Sequence, residues 1–212
     1  EELFSTLPGS SSVAPFRQVS FPVLESGSLE FTLVPDAVQN SVAMGIPAIG
    51  RNHPDYIPLC IAVPALGGYF GSRLTMNIRE EKGLTYGITA SLMTYPDAGF
   101  VIIESDTDPA NGSALIDEVR IEIERLKDPA SFSPDELTRL RRHILSDLAR
   151  ITDTTFSRMM YLQSRVTMGD SPTGFADLEA AARLLSADSI AETASRYLDP
   201  DRLVISIAGA KY

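Results

Sequence analysis

Hydrophobic and polar positions alternate along Leu29–Val34 (LEFTLV), the pattern of a strand with one buried face. Val42–Ile49 predicts a second strand. Pro47 within it points to an edge or a bulge, because proline cannot donate a ladder hydrogen bond. Tyr86–Tyr95 and Gly99–Asp106 predict two more strands, joined as a hairpin by the short polar turn Pro96-Asp97-Ala98. Leu203–Ala208 (LVISIA) reads as the last strand.

Between and after these stretches the period changes. Tyr56–Leu66 is an apolar run without alternation, which predicts a buried helix. Asn52-His53-Pro54-Asp55 supplies its start, with proline in the first turn. Pro64 is expected to remove a backbone bond and kink that helix. GSRLTMNIREEK predicts a short helix stopped by Gly83. Asp108-Pro109 opens a long helix to about Lys127, with Ala114, Leu115, Val119, Ile123 and Leu126 on one buried face. Ser133-Pro134-Asp135-Glu136 is an N-cap with proline and acidic residues in the first turn. The helix it starts continues through Arg150 and onward to Met168, until Gly169-Asp170-Ser171-Pro172 breaks it. Ala176–Leu185 is a further short helix, and Ser186-Ala187-Asp188-Ser189 caps one that ends near Leu198.

Strands come early in adjacent pairs and helices cluster late. That order predicts an α+β fold, with a largely antiparallel sheet of about five strands and helices packed on one face. Residues 1–27, with four serines in Ser5–Ser12 and Pro8, Pro15 and Pro22, read as a linker or lead-in segment around one short extended piece, Phe16–Phe21. No internal repeat or inner boundary divides 28–212, which reads as a single domain.

Composition narrows the field. The 212 residues are 44% hydrophobic and hold no apolar run of about 18, so no membrane span is expected. The net charge of −10 disfavours nonspecific binding to nucleic acid or anionic membrane, and otherwise reads as an ordinary solubility charge. Cys60 stands alone, which excludes a disulfide framework within the chain and reads as a small buried hydrophobe. Compartment is left open between the cytoplasm and a disulfide-free exported setting. The chain starts at Glu1 without a methionine or a signal-like segment, so a piece of a longer protein, or a processed one, is expected.

Candidate chemistry is concentrated in Leu66–Tyr86, LGGYFGSRLTMNIREEKGLTY, with a glycine pair, two arginines, an acidic-basic cluster and a tyrosine. Elsewhere the usual engines are missing. There is no G-x-S-x-G elbow and no P-loop. The two histidines lie 90 residues apart: His53 at a helix start, where capping or surface roles fit, and His143 in a basic helix, where a solvated face is expected. Neither sits in a zinc-binding motif.

Leu66-Gly67-Gly68, Ser72-Arg73-Leu74, Arg79-Glu80, Gly83-Leu84 and Tyr86 together resemble the insulysin, pitrilysin and mitochondrial processing peptidase family of zinc metallopeptidases, in its C-terminal, non-zinc half. Gln39-Asn40-Ser41, His53-Pro54-Asp55-Tyr56, Ser133–Leu137 and Leu203–Gly209 fall in the matching order, so the resemblance covers most of 28–210. Pro64 departs from the family pattern. The resemblance implies a half-domain of the LuxS/processing-peptidase-like type, paired with a homologous N-terminal half or a separate zinc-bearing subunit, as a homo- or heterodimer in the latter case. It implies zinc bound in that partner through H-x-x-E-H, with no cofactor in this chain and no activity of this chain alone. It further implies that Arg79 binds a substrate backbone carbonyl and that Tyr86 hydrogen-bonds the oxyanion of the tetrahedral intermediate. The purely structural alternative pairs Arg79 with Glu80, Glu81 or a helix end and half-buries Tyr86. Gly67-Gly68 corresponds to a longer substrate-selecting loop in processing peptidases, but the pair here reads first as a helix stop that permits close packing. Gln39 is placed near the chamber without assigned chemistry. A zinc-free subunit with an assembly or substrate-presenting role is the other function the family offers.

Overall fold

The computed structural model describes residues 27–169 and 174–210. Residues 1–26 of the proposed linker, and part of the break after Gly169, therefore lie outside the described residues.

Among the described residues, five strands form one mixed sheet in the order β1-β5-β2-β4-β3. They are β1 (Leu29–Leu33), β2 (Asn40–Ala48), β3 (Thr85–Thr94), β4 (Gly99–Thr107) and β5 (Val204–Gly209). Every pairing is antiparallel except β1 with β5, where Phe31 stands beside Ile207. The period-2 pattern divides the sheet sharply. Val42, Met44, Ile46, Ile88, Ala90, Val101, Ile103, Ile205 and Ile207 are buried on one face. Ser41, Thr89, Glu104, Asp106 and Ser206 are exposed on the other. A sheet with such alternation needs one cover layer, not two.

The helices α1 (Tyr56–Val63), α2 (Gly112–Leu126), α3 (Pro134–Asp153), α5 (Gly174–Leu184) and α6 (Ala187–Tyr197) supply that layer. Leu59, Ala62, Leu115, Val119, Ile123, Leu126, Leu140 and Ile190 meet the sheet in one apolar core. Between α3 and α5 runs α4 (Thr155–Met168), which has no buried residue.

Four sequence expectations change. Pro47 lies in the central strand, not at an edge of the sheet, and it is tolerated because pairing with β5 ends at Gly45–Val204. Pro54 falls before α1, whose first turn holds Pro58 instead. The long helix from Ser133 to Met168 is two helices. Thr154 is extended (φ −121°, ψ 156°), and its hydroxyl oxygen accepts the Ser157 N–H at 3.0 Å, an N-cap within the run. On α2, Ala114 is exposed and Ile116 is buried in its place.

The one-sided core predicts unequal costs. Ile103→Ala, at 0% exposure, should lower unfolding free energy by about 3 kcal/mol. Thr89→Ala, one strand away on the open face, should change it by less than about 1 kcal/mol. Urea unfolding of both variants checks this, and equal effects would mean the open face is covered.

Candidate functional site

The site segment begins where α1 cannot continue. At Pro64 the chain passes into a wide turn, Pro64–Gly68, that lands on the edge strand β3. A Cβ on Gly67 would come within 2.6 Å of the Ala90 Cβ and 2.7 Å of the Ala90 nitrogen. Glycine is required there by distance.

The next helix, Thr75–Glu81, is wound as a π-helix, and its closing bond runs from the Lys82 N–H to the Asn77 carbonyl, five residues back, at 3.0 Å. We call it the site helix. Gly83 ends it at φ +62°, and the Leu84 N–H bonds to the Ile78 carbonyl at 3.0 Å.

Strand β3 then starts with a bulge. Thr85 pairs with Thr107 and Ile88 with Ser105, so Tyr86 and Gly87 stand opposite Asp106 alone. Buried hydroxyls fix this irregularity. Thr85 Oγ1 accepts the Gly87 N–H at 3.0 Å and donates to the Asp106 carbonyl at 2.5 Å. Ser105 Oγ lies 3.0 Å from both Thr85 Oγ1 and the Gly87 carbonyl, and Thr107 Oγ1 donates to the Leu84 carbonyl at 2.6 Å. The bulge turns Tyr86 outward, where it is 89% exposed. The half-buried tyrosine of the purely structural alternative is therefore not what the fold produces.

Two clefts meet at Arg79. One, of about 420 Å³, is lined by Gln39, Arg79, Glu80, Tyr86, Asp106 and Asn111 among others. The other, of about 240 Å³, includes Gly67, Gly68, Phe70, Arg79 and Thr89. The Arg79 guanidinium lies 5.1 Å from the centre of the Phe70 ring, and its Nε is 3.5 Å from a Glu80 oxygen. An exposed pair of this kind holds weakly and leaves the guanidinium available. Arg79, Tyr86, Gln39 and the glycine pair are thus brought together.

The histidines and the cysteine lie elsewhere. His53 Nδ1 accepts the Asp55 N–H at 3.1 Å, and its ring meets Tyr197 edge-on. His143 is not on a solvated face. It stacks on Tyr69 at 4.7 Å between ring centres and sits 3.4 Å from Asp147. Cys60 is half-buried, not fully buried. Among the described residues, no group of three or more His, Cys, Asp and Glu could hold a metal ion. The donor set of the described residues does not fit zinc.

Behind the site helix lies a charged layer that sequence reasoning missed. Asn77 Nδ2 donates to Glu122 Oε1 at 2.8 Å and to Glu118 Oε2 at 3.1 Å. Lys82 pairs with Glu118, and Arg125 with Glu122 at 2.7 Å. Arg73 pairs through Nε with Glu136 at 2.7 Å and lies over Phe132, its Cζ 3.9 Å from the ring centre. Its Nη1 is buried without a hydrogen-bond partner among the described residues. Glu122 was detectable as an acid within the apolar stripe Leu115, Val119, Leu126. Burial raises its carboxyl above the usual range, against the opposing pull of Arg125 and Arg73. The Lys82 and Asn77 hydrogen bonds hold Glu118 below that range.

The family model of the peptidase M16 inactive domain matches residues 1–144. The chain belongs to the peptidase M16 inactive-domain family. An uncharacterized zinc protease of Mycobacterium tuberculosis is 39% identical over 75 residues, 35% of this chain and 17% of that protein. Another, from Bacillus subtilis, is 26% identical over 121 residues, 57% of this chain and 29% of that protein. A protease from Helicobacter pylori has the same fold, with TM-score 0.87 and 17% identity over 98% of this chain and 50% of that one. A peptidase M16 inactive domain structure from Pseudomonas fluorescens gives 0.81 and 22% over 93% and 47%. A chain of complex III2 from Candida albicans gives 0.72 and 16% over 87% and 46%. This chain thus spans about half the length of these solved chains, and the M16 fold recurs within larger chains and complexes. No helix among the described residues is long and apolar enough to cross a membrane.

Two predictions follow from the packing around the M16 site segment. Gly67→Ala should cost about 1–3 kcal/mol in urea unfolding by overlap with Ala90, and an unchanged midpoint would mean the turn moves freely. For Glu122 the folded-state pKa lies above the unfolded one, so ionisation costs stability as pH rises past about 4.3. Glu122→Gln should therefore melt higher than wild type at pH 7, with the gap closing as pH falls toward 4. A variant that melts several degrees lower at pH 7 would show that the Arg125 pair outweighs burial.

Proposed function

We propose that this domain is the non-zinc half of a zinc metalloendopeptidase, binding peptide and completing an active site whose metal is held by another half or chain. The observation that carries this is the meeting of Arg79 and the outward-facing Tyr86 at one cleft, produced by a π-wound helix and a bulge. Arg79 binds a substrate backbone carbonyl through a fixed fork of donors that stays charged at any working pH. Tyr86 gives its phenol hydrogen bond to the oxyanion that forms when the scissile carbonyl becomes tetrahedral. Gly68, exposed at the adjoining cleft, lets the peptide pass close to the backbone, and Gly67, buried against β3, holds that turn in place, a smaller contribution. The partner is a homologous M16 half, covalently attached or separate, and peptide is the substrate.

The other reading is a zinc-free subunit that supports assembly or presents substrate. The likeness to a chain of complex III2 favours it. An outward tyrosine beside an arginine favours the first reading, because scaffolding alone asks for neither.

The complete gene product, together with any zinc-bearing partner, separates the two. Arg79→Ala and Tyr86→Phe should each lower kcat/KM for peptide hydrolysis by at least about tenfold, and loss of one oxyanion donor typically costs about a hundredfold or more. This chain alone should carry no stoichiometric zinc by metal analysis. One zinc per chain would sink the half-site reading, and wild-type rates in both variants would leave only the supporting role.

A further inference from the structure

We propose that Glu118 is a positioning residue, a latch on α2 that holds the site helix in its π-wound form and so fixes where Arg79 points. The inference rests on the reading of Arg79 given above.

The argument begins with spacing. Glu118 takes two side chains from the site helix, Asn77 Nδ2 at 3.1 Å and the Lys82 ammonium. These residues are five apart, and they are also the two ends of the wide backbone bond, Lys82 N–H to Asn77 carbonyl at 3.0 Å. In an α-helix each residue advances about 100°, which would set 77 and 82 about 140° apart. A carboxylate facing Asn77 would then meet Lys82 only if the lysine stem wrapped round the helix. Wide winding brings them to one side, where Glu118 bridges them. Isolated π turns are rare and cluster at functional sites, so something must hold this one. Its local sequence, TMNIREE, contains nothing that demands it.

The latch is itself well held. Asn77 is 9% exposed and gives a second hydrogen bond to buried Glu122, which also takes Arg125. The Glu118 side chain is 17% exposed and ionised by these partners. Arg79 lies two residues beyond Asn77 and lines both clefts with Tyr86, Phe70 and the glycine pair. If the helix rewound to α, every residue after Asn77 would rotate about the axis and Arg79 would leave that position. Glu118 lines neither of these two clefts. It acts only through the winding.

A double-mutant cycle in the complete, peptide-cleaving protein tests this. Glu118→Ala should lower kcat/KM about fivefold or more when Arg79 is present, and less than about twofold in the Arg79→Ala background. Lys82→Met removes one arm of the latch near the surface and serves if Glu118→Ala folds poorly. It should act in the same direction and also lose its effect without Arg79. Amide exchange at Lys82 should quicken in Glu118→Ala, while Glu118→Gln, which keeps the acceptor for Asn77, should recover part of the rate. Effects that multiply across the cycle, or no effect at all, overturn the latch while the half-site reading stands. A wild-type rate in Arg79→Ala, or an assembled protein that cleaves no peptide, removes the half-site reading and the latch with it.

Discussion

The contact between Gly67 and Ala90 sets the geometry on which the candidate site depends. One carbon added at Gly67 would overlap the backbone of β3. With none there, the turn after α1 seats against Ala90 in the middle of the edge strand β3. The same contact fixes where the chain restarts. Ser72 and Thr75, with hydroxyls 3.2 Å apart, begin the site helix directly from that seat. Arg79 is therefore measured from β3 at one end of the segment and returns to β3 at the other, through Gly83 and the bulge at Tyr86. Both proposed functional groups hang from a closed loop of backbone whose two ends rest on one strand.

Leu74 and Ile78 anchor that loop in the apolar core, and a polar and charged layer completes it from behind. Arg73, Asn77 and Glu122 are buried there, with Glu118 and Glu136 largely shielded beside them. Buried ionic groups are poor sources of stability, because desolvation offsets most of their attraction. Their use here is geometric. Apolar side chains tolerate a sliding helix, whereas the Asn77 amide and the Arg73 fork accept one register only. Contact with Phe132 and pairing with Glu136 compensate Arg73 on two sides. The raised Glu122 carboxyl shows where compensation is incomplete, and that cost is concentrated directly behind the site helix.

Alternation in Leu29–Val34, Val42–Ile49 and the hairpin strands made the sheet legible, because one-sided burial writes its period into neighbouring residues. The caps Ser133 and Ser186 were legible for a similar reason: each satisfies a backbone donor three residues away. What sequence could not show is longer in range. The π winding is held by Glu118, 41 residues from Asn77. The bulge is fixed by Ser105 and Thr107 on another strand. His143 looked solvated within its basic helix because Tyr69, its stacking partner, approaches from a different element. Thr154 is a true miss, since its cap on Ser157 is local, and the apolar residues that follow masked it. Arg79 and Tyr86 were legible as candidates through family resemblance. That they share a cleft depended on the two irregularities that no local pattern announced.

An exposed phenol and an exposed guanidinium do little by themselves. Water screens both, and an oxyanion beside Tyr86 would find solvent donors as good as the phenol. Their strength in the proposed role comes from exclusion of water by an opposing wall, which raises the value of each donor without moving it. An Arg79–Tyr86 pair held so firmly from behind and so open in front is half of a geometry. In the proposed role that rigidity matters because the other half, attached or separate, supplies the metal, and a donor that readjusted to it would lose the preorganisation that makes it useful.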